Sequence, residues 1–184
     1  MRPARRNNRI YTMSMTALLA AVICVLAPMA IPVGPIPITL ATLAMYLALY
    51  LLGGKLGTLS CLVYVLIGLA GVPVFAGFTG GAGKLLGPTG GYIVGYVVMT
   101  WIAGGFLDRF QGRFLQAVGL AAGTAVCYAL GTAWYCVSAE ASVGTALALC
   151  VLPFLPGDVA KIALATTFGP AIRKRLSEAG LLEQ

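Results

Sequence analysis

From Ile10 to Gly54 the chain reads IYTMSMTALLAAVICVLAPMAIPVGPIPITLATLAMYLALYLLGG, without one charged residue. A helix needs about 20 consecutive apolar residues to cross the hydrocarbon core of a bilayer. This run holds two such helices, separated by the prolines of PMAIPVGPIP (Pro28, Pro32, Pro35 and Pro37). Three more charge-free runs follow, from Leu56 to Gly83, Leu85 to Leu107 and Phe114 to Ala139, each with room for about one span. Over all 184 residues 60% are hydrophobic and 9% charged, whereas a soluble domain carries about 25% charged residues. The sequence is that of an all-α integral membrane protein.

Spans are predicted at 10–30, 37–53, 56–71, 89–107, 114–137 and 156–173, giving six transmembrane helices in a single membrane domain covering 1–184. The stretch 138–155, broken at its end by Pro153 and followed at once by Pro156, reads as a packed outer connection with some helix. Basic residues give the orientation. With the N-terminus in the cytoplasm, Arg2, Arg5, Arg6, Arg9, Lys55, Arg109, Arg113, Arg173, Lys174 and Arg175 all fall inside, which is 10 of the 12 Lys and Arg. Lys84 falls outside and Lys161 within a span. The positive-inside rule therefore places both termini in the cytoplasm. The net charge of +7 is thus a topology signal and not a nucleic-acid footprint. A basic N-terminus before an apolar stretch also fits a signal peptide, but no small-x-small cleavage site follows at once, and the segment is read as a retained first helix.

Several chemistries lack their residues. There is no histidine, and Cys24, Cys61, Cys127, Cys136 and Cys150 form no CxxC pair, so no metal site is expected. The segment FTGGAGKL has Phe78 where a P-loop needs its first glycine and Leu85 where it needs a hydroxyl. No nucleophile–base pair stands out, and no catalytic residue is assigned. Small residues four apart (Ala17/Ala21, Gly53/Gly57, Gly91/Gly95, Gly119/Gly123) permit close helix approach.

The exception to this apolar pattern is PFLPGDVAKIAL, Pro153 to Leu164. Asp158 and Lys161 lie three apart, on one face of a helix. Ionisable groups at membrane depth are costly and mark function by default. A carboxylate accepts hydrogen bonds and an ammonium donates them, so the pair suits a small polar head offering both N–H and C=O groups. A structural ion pair is the plainer alternative.

The segments PITLATL, GLAGVPVFAGFTGG, LLGPTGGYIVGY and PFLPGDVAK together resemble the BioY family, over about residues 10–175. These are the biotin-binding S components of energy-coupling-factor (ECF) transporters. The resemblance implies a six-helix S-component fold in the cell membrane of a prokaryote that takes biotin from outside with high affinity. It implies no cofactor, and as partners a transmembrane coupling protein and an ATPase pair. By the same resemblance Asp158 and Lys161 contact the ureido ring of biotin, and Thr39, Phe75, Gly77, Phe78 and Tyr92 belong to the ligand site. Ala17 and Ala21 match the family's AxxxA face for the coupling protein. Family members often carry glutamine at the place of Ala41, and some carry asparagine at that of Gly77, where a contact here has to come from backbone. The other readings are an S component for another vitamin, a ligand-free subunit of a membrane complex, and, least favoured, a membrane enzyme.

Overall fold

The structure, a computed structural model, describes residues 8–31 and 36–181. Arg2, Arg5, Arg6, Pro32 and Pro35, used in the sequence reading, lie outside the described residues. The elements in chain order are α1 (Asn8–Leu26), β1 (Ala30–Ile31), β2 (Ile38–Thr39), α2 (Ala41–Leu52), α3 (Gly54–Leu69), α4 (Ala82–Leu86), α5 (Gly90–Arg109), α6 (Arg113–Ser138), α7 (Val143–Cys150) and α8 (Leu155–Glu178).

The first predicted span, 10–30, is shorter than expected because the helix ends at Leu26 and the chain turns into a two-stranded antiparallel ribbon, with Ala30 opposite Thr39 and Ile31 opposite Ile38. That ribbon also delays the second helix to Ala41. Proline cannot donate to a helix or a ladder, and Pro37 sits on the ribbon's approach. Residues 138–155 contain α7, started by Ser142, whose hydroxyl accepts the Thr145 N–H at 3.2 Å.

Among the described residues, Arg9–Leu26, Gly90–Arg109 and Arg113–Ser138 are long and apolar enough to cross a membrane, and α7 with α8, bent by 50°, make a fourth if counted as one span. At 1.5 Å per residue, α2 with 12 residues and α3 with 16 fall short of an upright crossing of about 30 Å. Helix length therefore gives three or four spans where the charge-free runs predict six.

The core centres on α2. It is apolar all round, as a helix surrounded by others must be, and eight of its twelve residues are buried. The chain reverses at Gly53, whose φ of +81° suits glycine, and α3 then packs so closely on α2 that a Cβ on Gly57 would lie 2.9 Å from Leu49 Cα. The glycine pairs Gly91/Gly95 and Gly119/Gly123 act similarly between α5 and α6. A Cβ on Gly91 would overlap Trp134 Cβ, and one on Gly123 would meet the Met99 carbonyl at 2.7 Å. On α1, Thr16, Ala20 and Ile23 face inward, as does Ala27 just after it, while Ser14, Ala17, Leu18, Ala21, Val22 and Val25 are exposed. Ser60 of α3 donates to the Thr16 carbonyl at 3.0 Å and fixes that orientation.

Candidate functional site

The two ionisable residues of PFLPGDVAKIAL lie in the first turns of α8. Pro156, at the N-terminal edge of that helix, gives up no needed donor there. Asp158 follows in the first turn, where the helix dipole favours an anion. One turn on, Lys161 Nζ stands 2.9 Å from Asp158 Oδ1 and also donates to Thr42 Oγ1 of α2 at 3.1 Å. Tyr128, from α6, donates its hydroxyl to Asp158 Oδ2. Three helices thus meet at one charged cluster, and Asp158 is only 6% exposed. The cluster still has capacity for a ligand. A carboxylate offers about four acceptor sites and an ammonium three donors; the contacts above use two of each.

That capacity faces a cavity in two adjoining lobes. Ile36, Pro37, Thr39, Tyr92 and Tyr96 line both lobes. The lobe over Asp158 and Lys161 adds Thr42, Met99, Thr124 and Tyr128. The other is walled by aromatic rings, Tyr64 and Phe75 meeting edge-to-face with centroids 5.7 Å apart, and it carries Lys84 and Thr89 at its far side. Tyr92 is fixed between the lobes by Thr132 Oγ1 and the Cys150 carbonyl, each 3.3 Å from its hydroxyl. A larger cleft of about 490 Å³ between α6 and α7 is apolar apart from Tyr128 and Thr132, and its lining holds no charge. The charged groups that a polar ligand needs lie in the cavity and not in the cleft.

This fold and its cavity have counterparts among known proteins. The BioY family profile matches residues 3–178. The chain belongs to the BioY family. A protein of Pyrococcus horikoshii named "Probable biotin transporter BioY" is 41% identical over 152 residues, covering 83% of this chain and 90% of the relative. The biotin transporter BioY2 of Lactococcus lactis is 35% identical, covering 94% and 95% of the two chains. The 2.1 Å crystal structure of the S-component for biotin from an ECF-type ABC transporter superposes with a TM-score of 0.84 at 30% identity, over 92% of this chain and 94% of that one. With its apolar helices, this BioY chain is a membrane protein.

The residues singled out in the sequence do not all converge. Asp158, Lys161, Thr39, Phe75 and Tyr92 line the cavity. Gly77 and Phe78 do not. They form the tip of a turn closed by Phe75 and Thr79, in which Phe75 N–H donates to the Thr79 carbonyl at 2.8 Å. Gly77 N–H donates to the Pro28 carbonyl at 3.1 Å, so this backbone donor is already used, and Phe78 is 70% exposed. Ala17 and Ala21 lie on the exposed face of α1, away from the cavity. Sequence reading missed Thr42, Tyr64, Tyr96 and Tyr128. Among the described residues no cluster of metal-ligating side chains occurs.

Proposed function

We propose that the chain is the biotin-capturing subunit of an ECF-type vitamin transporter, binding biotin from outside the cell and leaving ATP hydrolysis to partner subunits. The observation that carries this reading is the buried Asp158–Lys161 pair facing an aromatic-walled cavity, in a fold shared with the S-component for biotin. Biotin's ureido ring has two N–H donors and one C=O acceptor. Asp158 takes an N–H and Lys161 gives its remaining donor to the C=O, while Thr39, Phe75 and Tyr92 wall the bicyclic ring and its chain. Gly77 and Phe78 act through the turn that holds Phe75 in place.

The same reading gives a six-span topology with both termini in the cytoplasm of a prokaryotic cell, residues 1–184 forming one membrane domain. The short helices α2 and α3 complete their crossings with the β1–β2 ribbon and the loop after α3. The exposed Ala17 and Ala21 offer a low, close-contact face on α1 to a transmembrane coupling protein, which an ATPase pair drives. Isothermal titration of the purified protein with biotin, and with a panel of other vitamins as competitors, tests the function. Saturable binding that only biotin competes for is the expected result; binding of a different vitamin, or of none, overturns it.

A further inference from the structure

The C-terminal end of α5 carries a groove of about 420 Å³, separate from the ligand cavity and lined by Trp101, Ile102, Gly105, Phe106, Arg109 and Phe110. Its walls are held in place. Phe106 is rooted against α6, where a Cβ on Gly119 would overlap it, and its ring stands 5.7 Å from that of Phe110. Phe110 gives its N–H to the Phe106 carbonyl and takes the Gln116 side-chain amide on its own carbonyl, each at 2.9 Å. Gly105 has no counterpart to this packing. It is exposed within the helix, and a Cβ on it would meet no atom within 4 Å. Glycine in a helix interior costs about 1 kcal/mol relative to alanine, and at Gly95, Gly104 and Gly119 of the neighbouring turns and helix a close contact requires it. At Gly105 nothing inside the chain does, so the open space serves something outside it.

One end of that space is charged. Arg109, the last residue of α5, is exposed and has no ion pair or hydrogen bond among the described residues. Asp108 beside it is engaged at the start of α3, where it accepts the Gly54 N–H at 2.9 Å. Arg113, which opens α6, adds positive charge to the same connection. Because α5 is long and apolar enough to cross a membrane, Arg109 stands at a bilayer surface. Trp101, eight residues earlier and about 12 Å along the axis, lies at hydrocarbon depth and is 71% exposed. Tryptophan is ordinarily enriched at the interface instead.

We infer that this groove seats an anionic phospholipid, its headgroup on Arg109 and one acyl chain over Gly105 between Trp101 and Phe106. The occupant has to be apolar over Gly105 and anionic at Arg109, and an anionic lipid joins those two properties in one molecule at the right depths. Charge-assisted hydrogen bonds from a guanidinium to a phosphate are the strong class. A transmembrane helix laid in the groove would need an anion of its own at the level of Arg109. The assignment is independent of the ligand in the cavity.

Tryptophan fluorescence of the full-length protein in phosphatidylcholine vesicles tests this. The chain has two tryptophans, Trp101 and Trp134, so a Trp134→Phe background leaves Trp101 as the reporter. A lipid brominated on its acyl chain quenches an indole it touches. Brominated phosphatidylglycerol should reach Trp101 with about fivefold higher apparent affinity than brominated phosphatidylcholine, the effect of one basic residue near a membrane surface. Arg109→Gln should abolish that preference and Arg109→Lys should keep most of it. Gly105→Leu, which fills the groove while favouring the helix, should reduce the preference with the cation still in place. Removing charge elsewhere, as in Arg173→Gln/Lys174→Gln on α8, should leave it unchanged. Equal quenching by the two lipids overturns the assignment, as does a preference that survives Arg109→Gln or Gly105→Leu. A loss on α8 as large as that from Arg109→Gln also overturns it, since the attraction then belongs to the basic surface as a whole. Gly105→Leu protein that keeps the lipid preference but loses a co-purifying protein would give the groove to a partner helix instead.

Discussion

Tyr128 of α6 donates its hydroxyl to Oδ2 of Asp158, the carboxylate oxygen opposite the one that Lys161 holds at 2.9 Å. The carboxylate is thereby clamped from two helices, and its plane relative to the cavity is set before any ligand arrives. Such positioning lowers the ordering cost of binding.

Replacing Tyr128 with phenylalanine keeps the ring and removes the clamp. Hydrogen bonds to charged groups contribute about 1.5–3 kcal/mol, so Tyr128→Phe is expected to lower thermal stability in detergent and to weaken biotin about tenfold. Titration and a melting curve on the same preparation check both effects. A lowered melting point with unchanged affinity would reduce Tyr128 to a structural support.

Gly131 tests the layer behind the cavity. It does not line the cavity, but a Cβ there would overlap the ring of Tyr92. Overpacking of this kind costs about 1–3 kcal/mol and moves the flexible partner. Gly131→Ala should therefore displace the Tyr92 ring that both lobes share, with reduced thermal stability and weaker biotin binding measured together. An unaltered affinity would mean that the ring's place is not critical to the site.

The extent to which the sequence discloses all this varies along the chain. The predicted segments 89–107 and 114–137 lie within two residues of α5 and α6 at each end, because each belongs to an uninterrupted apolar run bounded by charged residues. Asp158 and Lys161 are visible for the opposite reason, as charges in an apolar setting. Thr42 and Tyr128 are not, because a hydroxyl inside an apolar helix has no local signature. Their partners lie 119 and 30 residues away, on α8. The shortness of α2 is hidden too, since a two-residue ribbon leaves no periodic pattern. Lys84 reads as a topology marker in the sequence, and only the fold lays its segment against the cavity.

Topology follows from the charge map and is checked by accessibility. Ala82 and Ala139 are exposed, on the segments before α5 and after α6, and Gly112 is exposed between those helices. In a cysteine-free background, Ala82→Cys and Ala139→Cys should react with an impermeant maleimide on intact cells, and Gly112→Cys only after permeabilisation. The reverse pattern would invert the orientation; labelling of all three in intact cells would contradict the six-span arrangement.

Ala17 and Ala21 separate coupling from capture. Both are exposed on α1, whose opposite face is buried through Thr16, Ala20 and Ile23. Tryptophan at both sites should prevent a partner helix from approaching, abolishing uptake and co-purification with the coupling protein while leaving biotin affinity within about twofold of wild type, a difference below about 1 kcal/mol. Intact co-purification would release this face from the partner role.

The Asp158–Lys161 pair admits two explanations that single substitutions do not distinguish. If the pair only stabilises the fold, losing one partner strands the other in a buried place, which costs about 3–5 kcal/mol and lowers affinity through misfolding. If it holds the ureido ring, either loss removes a ligand contact as well. Removing both charges separates these cases, since no unpaired ion remains and a neutral replacement of a buried pair is often tolerated. The Asp158→Asn/Lys161→Ala protein should therefore fold, with a monodisperse detergent peak, although its melting point falls with the loss of the charged acceptor of the Tyr128 hydroxyl. It should nevertheless bind biotin at least about tenfold more weakly, since each ureido hydrogen bond left unmade in a buried site costs about 1–3 kcal/mol. A folded double variant with near wild-type affinity would leave the pair as architecture and move the ureido contact elsewhere in the cavity.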